Sequence, residues 1–78
     1  MSNFGNTIQA SFGKLEAYAR AASSLPYTVT PADRGTAALQ FKGTGAVSAT
    51  NNVARIFDDL GFKYTRRGEV IYVPLEQL

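Results

Sequence analysis

Neither cysteine nor histidine occurs among the 78 residues. Without cysteine no disulfide can staple the fold, and no thiol nucleophile is on hand. Without histidine the commonest general base is missing, and a structural zinc site becomes implausible. No apolar run of about 20 residues is present, the length a bilayer-spanning helix needs. The segment from Met1 to Asn6 also lacks the basic stretch and apolar block of a secretory signal. These absences lead us to expect a cytoplasmic, non-enzymatic chain with no metal and no small-molecule cofactor.

Carboxylates are few as well: Glu16, Asp33, Asp58, Asp59, Glu69 and Glu76. Asp58 and Asp59 are neighbours, but on a helix successive side chains point about 100° apart, so they do not face each other as an acid–base pair. Gly43-Thr44-Gly45 stands between a strand and a helix, where a glycine-rich loop can cradle a phosphate. The further glycine, the downstream acid and the parallel βαβ context of a dinucleotide site are missing, and so is a Walker lysine. A connector with a helix cap is the simpler reading.

What remains suits a packed domain. Apolar residues make up 45% of the chain and charged residues 18%, which is globular usage and not disorder. Residues 1–78 are expected to form one domain. A core this small rarely supplies more than about 3–5 kcal/mol, so stability rests on packing, alone or with a partner subunit. The net charge is +2, with an isoelectric point near 9.2. Duplex binders commonly neutralise on the order of 6–10 phosphates, so the overall charge gives nucleic acid only weak support. Its distribution is more informative, because Lys63, Arg66 and Arg67 cluster with only Glu69 nearby.

The second half of the chain restates the first. At one constant offset Tyr18, Ala21, Ala22 and Leu25 fall on Val53, Ile56, Phe57 and Leu60. Tyr27, Val29 and Thr30 fall on Phe62, Tyr64 and Thr65. After a shorter turn Arg34-Gly35 falls on Arg67-Gly68, Ala38 on Ile71 and Leu39 on Tyr72. Each unit, about 1–42 and 43–78, reads as a helix followed by a hairpin.

The first helix is expected from Asn6 or Thr7, either of which can cap it, to Ser23, with an earlier start near Ser2 as the alternative. Ile8, Phe12, Leu15, Ala19 and Ala22 make its apolar stripe, with Tyr18 at the core edge. Gly13 inside it points to close approach of another backbone. Pro26 ends it. Tyr27–Thr30 and Thr36–Lys42 read as a hairpin. If Thr30 opposes Thr36, Tyr27, Val29, Ala37, Leu39 and Phe41 share the inner face. Ser48 or Thr50 is expected to cap the second helix, whose stripe is Val53, Ile56, Phe57 and Leu60, and Gly61 to close it. In the last hairpin a three-residue loop with Gly68 as a bulge would slip the pairing by one residue and exchange faces on one strand. The preferred two-residue turn at Arg67-Gly68 sets Arg66 against Glu69, Tyr64 against Ile71 and Phe62 against Val73. Phe62, Tyr64, Ile71, Val73 and Leu75 are then inside, and Lys63, Thr65, Arg67, Val70, Tyr72 and Pro74 outside.

Assembled, the elements predict an α+β two-layer sandwich in α-β-β-α-β-β order. Two helices cover one face of a four-stranded, mainly antiparallel sheet. The other face is left for solvent or a partner. Lys63, Arg66, Arg67, Val70, Tyr72 and Lys42 are the candidate binding residues. The leading expectation is a small interaction module, a regulator, inhibitor or adaptor of the kind phage or mobile elements encode. It would bind a protein or a second copy of itself through that face. The alternative is a nucleic-acid-binding protein using the basic 63–67 hairpin.

Overall fold

Apolar residues at helical spacing, β-branched strands at period two and glycines at the turns partition the chain into six main elements. The computed structural model describes residues 4–78, with side chains from residue 10 onward. Helix α1 spans Phe4–Ala22, strand β1 Tyr27–Pro31, β2 Thr36–Phe41, helix α2 Ala46–Leu60, β3 Thr65–Arg67 and β4 Val70–Pro74. A short 3-10 turn, Leu75–Gln77, follows. The sheet order is β1-β2-β4-β3, and every adjacent pair is antiparallel. The fold is therefore the expected α+β class, with both helices packed against β2.

The core lies between helices and sheet. Leu15 and Ala19 from α1 and Val53 and Phe57 from α2 meet Leu39 and Phe41 from β2 and Ile71 and Val73 from β4, all buried. Tyr18 stands at the edge of this core, its ring edge-on to Phe57 at 5.5 Å and to Phe62 at 5.8 Å. Edge-to-face contacts of this kind add about 0.5–1.5 kcal/mol beyond the area they bury. The two units also superimpose in burial. The offset read from the sequence sets Ser11, Leu15 and Ala19 on Ala46, Thr50 and Ala54, and all six are buried.

Several local expectations need correction. Helix α1 is already formed at Phe4, the first described residue, ahead of the expected caps. The Asn6 or Thr7 cap and the Ile8 contact fall among side chains outside the described set, as does a start near Ser2. Gly13 meets no close backbone: a Cβ there would have nothing within 4 Å. The glycine costs this exposed position of the helix about 1 kcal/mol relative to alanine. Helix α2 begins at Ala46 with Gly45 as its cap, at φ 93°. Ser48 and Thr50 are thus inside the helix, and the buried Thr50 hydroxyl donates to the Ala46 carbonyl at 2.8 Å. The buried face of α2 turns toward Thr50 and Ala54, which leaves Leu60 at the helix end 50% exposed.

Gly61 closes α2 as expected. It sits at φ 75°, its N–H bonds the Asp58 carbonyl, and the Phe62 N–H bonds the Phe57 carbonyl. This is the paired pattern of a Schellman motif, with Phe62 packing back on Phe57.

Both hairpin registers differ from expectation by two residues. Thr30 opposes Ala38, not Thr36, because the first turn is held lower, by the Thr36 N–H on the Asp33 carbonyl. Arg66 opposes Ile71 and Arg67 opposes Val70, so the second turn is Gly68-Glu69. Gly68 has φ 60°, and no residue other than glycine has positive φ among the described residues. Glycine alone at the first turn position is what a type II′ hairpin needs, and it spares Arg67 a left-handed conformation. A slip of two keeps every side chain on its expected face. The repeat correspondence shifts by one residue in the return strand: inner Leu39 matches inner Val73, whereas Tyr72 faces outward.

Candidate functional site

With the helices on one side, the outward residues of four strands form an open surface. The pairings align them in rows. Thr30, Ala38, Tyr72 and Thr65 stand side by side, and next to them Thr28, Gln40, Val70 and Arg67. Thr36 and Pro74 begin a third row. The central strands contribute the apolar residues: Ala38, Val70, Tyr72 and Pro74 are half-buried by their neighbours alone. Thr30, Gln40, Thr65 and Arg67 around them are exposed.

An open hollow of about 440 Å³ sits on this face, lined by Asp33, Thr36, Thr65, Arg67, Tyr72 and their neighbours Ala32 and Pro74. The guanidinium carbon of Arg67 lies 5.9 Å from the centre of the Tyr72 ring, which holds the cation over the aromatic face. The neighbouring diagonal places on β3 and β4 bring these two side chains together.

The sequence-predicted residues are placed as follows. Arg67, Val70 and Tyr72 share the open face. Lys42 follows β2, where its N–H donates to the Pro26 carbonyl at 2.9 Å, and its side chain is exposed. Lys63 precedes β3. Its N–H donates to the Gln77 side-chain oxygen and its carbonyl accepts from the Gln77 amide, both at 2.6 Å. Gln77 thereby replaces a ladder partner, because Pro74, the residue that would pair there, has no N–H to give. Arg66 turns toward the helix layer, donating to the Asn51 Oδ1 at 2.5 Å and to the Gly68 carbonyl at 3.1 Å. The basic triplet thus divides between two sides of the sheet.

Asp33 and Thr36 also line the hollow. No local signal marks them; only the long-range pairing of Thr36 with Pro74 brings them beside Tyr72.

Both helices carry charges of each sign, Lys14, Arg20 and Arg55 as well as the acids Glu16, Asp58 and Asp59. Asp58 accepts the Tyr64 hydroxyl at 2.9 Å, and this bond holds the phenol above its ordinary value of 10.0, with burial adding to the effect and Arg66 opposing it. Among the described residues no three potential metal ligands gather. No described helix is long and apolar enough to cross a membrane. Comparison of the chain with protein-family models, curated proteins and solved structures finds no match.

Proposed function

We propose that this chain is a non-enzymatic interaction module, a regulator, inhibitor or adaptor, that docks a protein through its open sheet face. The observation that carries the reading is the makeup of that face. An apolar centre of Ala38, Val70, Tyr72 and Pro74 is ringed by threonines, Gln40 and Arg67, and no described helix covers it. Apolar, aromatic centres with polar rims are the usual anatomy of protein interfaces, and tyrosine and arginine are the residues that most often dominate them.

Size favours one kind of partner. Four strands about 4.8 Å apart, three of them five or six residues long and β3 only three, at roughly 3.4 Å per residue, give a flat projected footprint of about 300 Å². A stable standard interface takes about 800 Å² per partner. A partner that reaches over the rim or inserts a segment buries more surface than the flat face alone offers.

A nucleic-acid reading has one observation in its favour, the Arg67–Tyr72 pair on an open sheet. Single-strand readers stack bases on such aromatics. Here Tyr72 is the one aromatic that β2 and β4 present outward, and Arg67 lies over its ring.

Affinity capture from the native host, with and without nuclease, separates the two. We expect a protein to be retained after nuclease treatment and at raised salt. Loss of all retained material on nuclease treatment would favour the nucleic-acid reading.

A further inference from the structure

We infer that the hollow beside Tyr72 receives an acidic side chain from an extended segment of the partner, with Arg67 as its counter-ion. This rests on the docking surface proposed above and names the chemistry of its occupant. Three observations support it. First, among the described residues Arg67 forms no ion pair and donates no side-chain hydrogen bond, although its guanidinium is held in place over Tyr72. A planar fork of donors kept in position but unused matches a carboxylate. Second, the hollow of about 440 Å³ is also lined by Thr65 and Tyr72, whose hydroxyls can donate to an incoming oxygen, while the Thr36 hydroxyl donates to the Arg34 carbonyl at 3.5 Å. Third, Lys42 and Lys63 lie beside the open face with Arg67, and Asp33 is the one acid that lines the hollow.

Asp33 stands at the β1–β2 turn, at the end away from Arg67, where Thr36 and Pro74 begin the third row. An anion centred on Arg67 is thus separated from it by the Tyr72 row. Asp33 is placed to accept from a backbone N–H or a basic group further along the same segment. Opposite charges at the two ends give an extended occupant a direction.

Selection of displayed random linear peptides on the full-length chain tests this. We expect the enriched peptides to share an Asp or Glu flanked by apolar residues. Arg67→Glu should weaken them about ten- to a hundredfold, the scale of a lost hydrogen bond between charged groups, and Arg67→Gln should fall between. Repeating the selection on Arg67→Glu should enrich Lys or Arg in place of the acid. Circular dichroism on both variants checks that they fold.

Enriched peptides without an acid, or affinities indifferent to Arg67, would overturn the inference. If such peptides were still lost on Tyr72→Ala, the docking face itself would stand. Peptides indifferent to Tyr72→Ala would remove both, and so would failure to enrich any peptide. Displacement of the acidic peptides by single-stranded oligouridylate would assign the hollow to phosphate and overturn the carboxylate.

Discussion

Phe57→Ala is expected to abolish cooperative folding. The ring is fully buried and touches Tyr18, Phe62 and Tyr64 at centroid distances of 5.5–5.8 Å. Truncating a buried phenylalanine costs about 3–5 kcal/mol. A core of this size supplies about the same. No disulfide compensates, since the chain has no cysteine. Thermal melting followed by circular dichroism should show a broad decline with no sharp transition. Leu60→Ala, on the same helical stripe but half exposed, should change stability by about 0.5 kcal/mol or less. Equal effects at the two positions would mean that α2 does not face the sheet as described.

On the opposite side of the sheet the expectation reverses. Val70→Asp and Tyr72→Ala are expected to weaken binding strongly and leave the fold intact. Both side chains point away from the helices, and Val70 sits between Gln40 and Arg67. An added carboxylate there can stay hydrated in the free chain. Stability should change by about 1 kcal/mol or less, about 4–8 °C in melting temperature for a domain of this length. In a complex the same carboxylate would be stripped of water at the apolar centre. Loss of a central contact costs about 2 kcal/mol or more, roughly thirtyfold in affinity. Titration of captured partner against each variant measures this. Unchanged affinity in both would remove the open face from the account.

The contrast between these positions was legible in the sequence, because alternation survives errors of register. Both hairpins pair two residues away from the expected alignment, yet Ile71 and Val73 remain inside and Val70 and Tyr72 outside. Period-two patterning reports which face a side chain takes, but not which residue stands opposite. That choice was made at the turns. Gly68 accepts the positive φ of the first turn position, so the turn moved from Arg67-Gly68 to Gly68-Glu69.

Helix α2 showed a similar division. Val53 and Phe57 were readable from their spacing, whereas the start at Ala46 was not, because Gly45 caps it without a side-chain bond. The β2–β4 pairing at the centre of the sheet left no local trace. The hollow was not readable for the same reason. Thr36 and Arg67 line it from strands that do not touch each other, and only β4 between them brings the two together. Arg66 shows the reverse case: adjacency to Arg67 implied a shared patch, but strand geometry sends alternate residues to opposite sides, and Asn51 holds it there.

Methyl chemical-shift mapping of the chain with and without its captured partner tests the docking claim most directly, because both layers carry reporters. The account predicts that Ala38, Val70, Thr28, Thr30 and Thr65 shift on binding, while Val47, Ile56 and Leu60 on α2 stay in place. Shifts confined to the α2 methyls, with Ala38 and Val70 unmoved, would contradict it.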